Sequence, residues 1–247
     1  MRIPPALQQF RTSDTALIAT EVGFNHADLR DFGETKFLFL CFTNRCGSTY
    51  LASLLHSTGA LPYPGEHLSS AVILPTLWRG VRSLQGYVSQ LPTEHGWIAT
   101  KATIAQLLML AEAGILDSIA SKSHFILLER QDKLAQAISR VIAFQQDRWT
   151  SDETARAESP TYDRAAIEAN IRSIEQETAG FYSFFQANAT SPLHISYESV
   201  TADPKSAVAN TATYLGLGAL TPRLNLIPIK PQRGHVNQEW HERYRSE

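Results

Sequence analysis

The stretch Lys36–Gly59, KFLFLCFTNRCGSTYLASLLHSTG, restricts the possible folds more than any other part of the chain. KFLFLCF is an almost unbroken apolar run, the pattern of a strand buried on both faces of a parallel sheet. TNRCGST reads as a tight polar turn containing Gly47. TYLASLLHSTG then sets Leu51, Leu54, Leu55 and Thr58 along one side of a helix that stops at Gly59. A strand, a short glycine turn and a helix start together make an anion site. The first helical turn offers free N–H groups and the positive end of the dipole, and Arg45, Ser48 and Thr49 add donors.

The kind of anion is constrained by what the turn lacks. A Walker A loop places a lysine before its Ser/Thr, and here Gly47 precedes Ser48, which disfavours an ATP or GTP hydrolase. A cysteine-phosphatase loop needs an arginine six residues beyond its cysteine; Gly47 and Ala52 stand six beyond Cys41 and Cys46. Read alone, the turn is either a phosphate or sulfate site or an ordinary strand-to-helix connection with a capping serine. Cys46, beside the helix start and next to Arg45, reads as a reactive but non-catalytic thiol of lowered pKa.

A chain of 247 residues with 43% hydrophobic content can bury a sizeable core, so one α/β domain over 1–247 is expected. A net charge of −2 creates no field drawing the protein to nucleic acid or anionic lipid. The two cysteines fall in one strand–turn element, which disfavours a disulfide and a zinc site and fits a cytoplasmic protein. The first residues lack the pattern of a signal peptide, and no apolar run approaches a membrane span.

Residues 1–35 read as a loosely defined lead-in packing along the domain. ALPYPGEHLSS, rich in Pro and Gly, is a loop carrying Glu66 and His67. Residues 71–90 have helical spacing, with Pro75 as a kink point. Strands are expected at 96–102, 124–129 and 192–197, with helices between them. After the third strand, Asp132 caps a helix whose buried stripe is Leu134, Ile138, Val141 and Phe144. Residues 151–162 are a polar, mobile loop, and a long helix runs from Asp163 to about Asn188. Asp203-Pro204 opens another helix. The segment 218–247 concentrates Arg223, Lys230, Arg233, His235, Arg243 and Arg245, either a solvated basic tail or a flap over an anionic ligand.

This alternation predicts a mainly parallel sheet covered by helices on both faces. Ligands of such sheets sit outside the carboxyl ends of the strands, which brings the turn at 43–49, the loop at 62–67 and the helix start at 130–132 to one edge. Arg130, ending the third strand, is placed for a second phosphate, and Ser139 follows along the next helix.

With these residues in view, the chain resembles bacterial carbohydrate sulfotransferases of the trehalose 2-sulfotransferase type. TNRCGSTYLASLLHSTGALPYPGEHL looks like their R-S-G-S-T loop, leucine-rich helix, T-G and P-x-E motif. LLERQDKLAQAIS is similar to R-x-D-K-x-x-Q-A-x-S, ISYESVTADP to Y-E-x-L-x-x-D-P, and HVNQEWHERYRSE to N-x-E-W-x-x-R-Y. The likeness runs from about residue 36 to the end, leaving 1–35 unmatched. Cys46 stands where serine is usual, Gln131 replaces a common arginine, and Gly65 and His67 flank the glutamate.

The resemblance implies a P-loop-like sulfotransferase fold and a transferase that moves the sulfuryl group of 3′-phosphoadenosine 5′-phosphosulfate (PAPS) to a hydroxyl of a carbohydrate or glycolipid. By position, Arg45, Cys46, Gly47, Ser48 and Thr49 would hold the 5′-phosphosulfate, with Arg45 also acting in catalysis. Arg130 and Ser139 would hold the 3′-phosphate, Arg233 would close over the nucleotide, and Glu66 would be the general base. The resemblance also implies a homodimer and no metal. Sulfuryl transfer needs positioning and donors more than a covalent nucleophile, and a sugar hydroxyl needs a base. His67 is the rival base. Tyr63 and Trp78 suit stacking on a sugar face. The competing readings are a catalytically silent nucleotide-binding scaffold and a P-loop kinase-like enzyme, which would need a lysine in the turn and magnesium.

Overall fold

The computed structural model describes residues 1–22, 32–77, 79–81, 83–147, 159–227 and 234–247. Five strands form one sheet: β1 (Lys36–Phe42), β2 (Thr93–Glu94), β3 (Trp97–Ala102), β4 (Ser123–Glu129) and β5 (Leu193–Ser196), in the order β2-β3-β1-β4-β5. β3, β1, β4 and β5 run parallel, and β2 is an antiparallel edge. The helices are α1 (Ser13–Val22), α2 (Ser48–Ser57), α3 (Ser70–Leu77), α4 (Leu84–Val88), α5 (Ile104–Glu112) and α6 (Ile115–Ser118). They continue with α7 (Lys133–Gln146), α8 (Arg164–Ala187), α9 (Tyr197–Ala202), α10 (Pro204–Tyr214) and α11 (His235–Ser246). The α/β architecture expected from the alternation of elements is therefore present.

β1 lies at the centre because it is apolar on both faces. Phe37, Phe39 and Cys41 face one core with Phe125 and Leu127, closed by α3–α6 and the second half of α8. Leu38, Leu40 and Phe42 face the other with Ile126 and Leu128, closed by α2, α9 and α10. A third cluster joins α7, α8 and α11 around Ile138, Ile167 and Trp240. The carboxyl ends of the four parallel strands feed turns toward the same sheet edge, which gathers the candidate residues.

Several expectations are corrected by tertiary context. Residues 71–90 are two helices: α3 stops at Leu77, and Ser83 starts α4 by accepting the Gly86 N–H at 3.0 Å. The extra strand β2 comes from a hairpin whose turn, His95 and Gly96, has φ of 49° and 77°, the left-handed pair that tight hairpins require. Phe144 is exposed; Gln136, Ala137, Ile138, Val141 and Ala143 make the buried face of α7, and Phe144 lies instead 5.9 Å from the Arg140 guanidinium. The lead-in is more structured than expected. A 3-10 turn, Pro5–Phe10, and α1 insert Leu7 and Ile18 into the core.

At the other end, α11 buries Trp240 edge-on against Tyr162. Arg243 stacks on Tyr162 at 4.0 Å and bonds Glu247, so that part of the basic segment is spent on its own neighbours. The Arg223 N–H donates to Ser57 Oγ at the C-terminal end of α2, remote from the turn that starts this helix. Trp78, Lys230, Arg233 and residues 151–158 of the expected loop lie outside the described residues. Thr161, closer to α8, exchanges two hydrogen bonds with the Gln145 amide.

Candidate active site

The turn between β1 and α2 is held in an uncommon backbone shape. Arg45 has φ of 68°, a left-handed conformation that non-glycine residues adopt at a cost, and Gly47 follows at 93°. Gly47 is the N-cap of α2 and supplies no side-chain cap, so the capping-serine alternative fails: Ser48 is the first helical residue and is buried. A side chain at Gly47 could not fit, since its Cβ would lie 2.3 Å from Tyr197 Cδ2. The ring of Tyr197, from the start of α9, thus closes one side of the turn.

Gln136, fully buried on α7, explains how the strained turn persists. Its Nε2 donates to Thr43 Oγ1 at 2.8 Å and to the Asn44 carbonyl at 2.9 Å. One turn of helix further on, Arg45 Nε donates to Ser139 Oγ at 3.0 Å. The two residues come together although 94 positions separate them in sequence.

Arg130 leaves the end of β4 with its guanidinium 5.0 Å from the Tyr197 ring centre. Its Nε is buried and has no hydrogen-bond partner among the described residues. Glu198, next to Tyr197, accepts the Gln131 N–H at 3.1 Å and the Asp132 N–H at 3.3 Å, which fixes the loop carrying Arg130. Asp132 caps α7 through the Ala135 N–H. Lys133, the first residue of α7, buries its Nζ with no hydrogen-bond partner among the described residues, the Glu129 carboxylate being 3.8 Å away.

The loop carrying Glu66 is pinned to β3 by its backbone. Gly65 bridges Thr100 in parallel fashion, and its carbonyl accepts from Lys101 N at 2.8 Å and Thr100 Oγ1 at 3.2 Å. Tyr87 donates its hydroxyl to the His67 carbonyl at 2.6 Å. Pro62, Pro64 and Gly65 are buried, leaving Tyr63 and Glu66 as the exposed side chains of this piece. The His67 ring folds back over Gly65, and burial holds its pKa below the usual histidine value.

Between this loop and the head of α2 stands Lys101, only 3% exposed. Its Nζ donates to Thr49 Oγ1 at 2.8 Å and to Glu66 Oε1 at 3.3 Å. Burial pushes its pKa down, and the Glu66 carboxylate opposes that push. Sequence reasoning missed Lys101, although a charged residue ending an otherwise apolar strand, WIATKA, is a visible signal. It missed Gln136, Lys133, Tyr197 and Glu198 as well, each inside a motif read for other residues.

The expected reactive thiol is corrected. Cys46 is free and fully buried, and desolvation pushes its pKa up to about 11. The N–H groups of Ser48 and Thr43 and the charges of Lys101 and Lys133 pull the other way and do not overcome burial.

Thus Arg45 and Ser139 meet directly, Gly47 and Arg130 meet through Tyr197, and Thr49 and Glu66 meet through Lys101. Arg233 lies outside the described residues. Among the described residues, no group of three or more His, Cys, Asp or Glu could hold a metal, and no helix is long and apolar enough to cross a membrane.

Residues 103–247 match the family profile of the Stf0 sulphotransferases. The chain belongs to the Stf0 sulphotransferase family. The matched segment contains Arg130, Ser139 and Tyr197, whereas the 43–49 turn, Glu66 and Lys101 precede it. A relative, trehalose 2-sulfotransferase of Mycobacterium tuberculosis (strain ATCC 35801 / TMC 107 / Erdman), is 25% identical over 173 residues. That alignment covers 69% of this chain and 59% of the relative, so less than two thirds of the relative's length is matched. A solved sulfotransferase domain from the curacin biosynthetic pathway is 11% identical, at a TM-score of 0.45, over 85% of this chain and 97% of that one.

Proposed function

We propose that this Stf0 family member is a PAPS-dependent sulfotransferase that sulfates a hydroxyl of a carbohydrate or glycolipid. The observation that carries the reading is the Arg45–Ser139 hydrogen bond at the head of α2. The 3′- and 5′-phosphates of PAPS hang on one ribose, so the groups holding them must adjoin. A turn residue assigned to one phosphate and a helix residue assigned to the other are 3.0 Å apart. Arg130, with a buried Nε lacking a protein partner among the described residues, fits the 3′-phosphate as a charge-assisted donor. Gly47, Ser48 and Thr49 begin a helix whose dipole favours the 5′-phosphosulfate. Arg233, on the segment before α11, would close over the nucleotide.

In the proposed step, the acceptor oxygen bonds to sulfur as the bond from sulfur to the 5′-phosphate oxygen breaks. The electron pair of the broken bond stays on that oxygen and gives adenosine 3′,5′-bisphosphate. The acceptor's proton passes to the Glu66 carboxylate. Glu66 suits that role better than His67, because its side chain is 56% exposed while the His67 ring is folded against Gly65 of its own loop.

Isothermal titration with adenosine 3′,5′-bisphosphate, followed by turnover of labelled PAPS with a panel of sugars and glycolipids, tests the proposal. Saturable binding and label transfer to a sugar are expected. Binding without transfer to any acceptor would leave a nucleotide-binding scaffold, and no binding would remove the reading.

A further inference from the structure

Lys101 is the one charged residue of β3, and that strand is buried along its whole length. The register pairs it with Leu40 of β1, and the two-residue period of the strand puts its side chain on the face that α2 covers. Its stem therefore runs beneath the head of α2, and its ammonium emerges at the anion turn. Two of its three N–H groups go to Thr49 and Glu66, and the third has no acceptor among the described residues. A cation this buried is retained where anions compensate it. Glu66, more than half exposed, is a screened and partial compensation, so a structural ion pair is a poor account of the arrangement.

We propose that Lys101 is a catalytic residue: its ammonium, supplied by β3 in place of the lysine missing from the turn, meets the transferring sulfuryl group and holds the Glu66 carboxylate beside it. This rests on the donor proposed above. As the bond from sulfur to the acceptor oxygen forms and the bond to the phosphate oxygen breaks, negative charge spreads over the sulfuryl oxygens. Lys101 donates to those oxygens and keeps its own proton throughout. The proton released by the acceptor goes to Glu66. One cation thus faces the donor through Thr49 and the base through Glu66.

PAPS and adenosine 3′,5′-bisphosphate differ only in the sulfuryl group, so the ratio of their affinities isolates contacts made to it. Both affinities are measured by titration, without acceptor, for the wild type, Lys101→Met and Lys101→Arg. The methionine variant should lose roughly 10–100-fold in affinity for PAPS relative to the bisphosphate, the range of one charge-assisted hydrogen bond, and Lys101→Arg should recover part of it. An unchanged ratio in Lys101→Met overturns the role of Lys101, as does a parallel loss of both ligands that Lys101→Arg does not relieve. Should the methionine variant fail to fold, Lys101→Gln, which can still hydrogen-bond Thr49, gives the same ratio. A wild type that binds neither compound removes the donor reading itself, an outcome distinct from wild-type binding with a ratio indifferent to residue 101.

Discussion

The two sides of the candidate site solve different problems. On the α7 side, Arg130, Lys133 and Gln136 bring donors and Ser139 accepts from Arg45, with two of the cationic nitrogens buried and lacking hydrogen-bond partners among the described residues. On the β3 side, a single buried cation is matched to an exposed carboxylate carried by a backbone-pinned loop. Excess donors suit the holding of a fixed anion, and a cation–carboxylate pair suits a place where a proton changes hands. On the proposed reading, the nucleotide phosphates are held on the α7 side and the sulfuryl group reacts on the β3 side, so substitutions on the two sides should separate affinity for the bisphosphate from turnover.

The largest effect is expected on the β3 side. Glu66→Gln should lower turnover by roughly 10²–10⁴-fold and leave bisphosphate affinity nearly unchanged, because the amide keeps the shape and loses the basicity. His67→Asn, assayed with the same acceptor, should cost far less, since that ring packs over Gly65 of its own loop. A near-normal rate in the glutamine variant beside a collapse in the asparagine variant would transfer the base role to His67.

Arg130→Ala tests the opposite side. Losing a charge-assisted contact worth roughly 1.5–3 kcal/mol should weaken bisphosphate binding about 10–100-fold. The fold should survive, as the guanidinium stacks on Tyr197 and has no ion pair to break among the described residues. Titration of the variant with wild-type affinity would detach Arg130 from the nucleotide and blur the division between the two sides.

These two sides were not equally legible in the sequence. The β1 run, the turn, α2, the Asp132 and Asp203 caps and the long α8 are local patterns, each carried by its own contiguous residues. Lys101 meets Thr49 and Glu66 only through sheet register and the Gly65–Thr100 bridge, which link segments far apart in the chain. Phe144 failed for a related reason: helical spacing marks it as apolar without saying which arc of α7 the core covers. Cys46 shows the same limit in electrostatics. Its neighbours in sequence predict a lowered pKa, and the depth of burial, a tertiary property, reverses the sign.

Gln136 links the two sides, because it fixes the turn from which α2 starts. Gln136→Leu keeps the volume and strips Thr43 and Asn44 of their donor. Leaving the buried Thr43 hydroxyl and the part-buried Asn44 carbonyl without this donor should destabilise the protein by about 1–3 kcal/mol in a urea titration. Bisphosphate affinity should fall with it if the turn's shape is what binds the anion. A variant of wild-type stability would mean that the turn holds its left-handed Arg45 without Gln136.

The smallest effect concerns Cys46, which feels the charges of Lys101 and Lys133 on the two sides and should serve neither chemically. A thiol at about 11 that is fully shielded should resist iodoacetamide at pH 8 and react only as the protein opens. Cys46→Ser should keep activity near that of the wild type. The pH dependence has a definite sign. A thiol whose pKa is raised in the folded state, from the ordinary 9.0 to about 11, favours folding most below the unfolded value. As pH climbs from about 9 through about 11, the unfolded chain releases this proton first and stability drops. Cys41, pushed up by burial as well, adds a fall of the same sign that persists in Cys46→Ser. Urea midpoints of wild type and variant at pH 7 and pH 10 therefore isolate Cys46. The wild type should lose more stability than the serine variant between the two values. Equal losses, or rapid alkylation of the native protein at pH 8, would show that the thiol is less buried than its place beneath α2 requires.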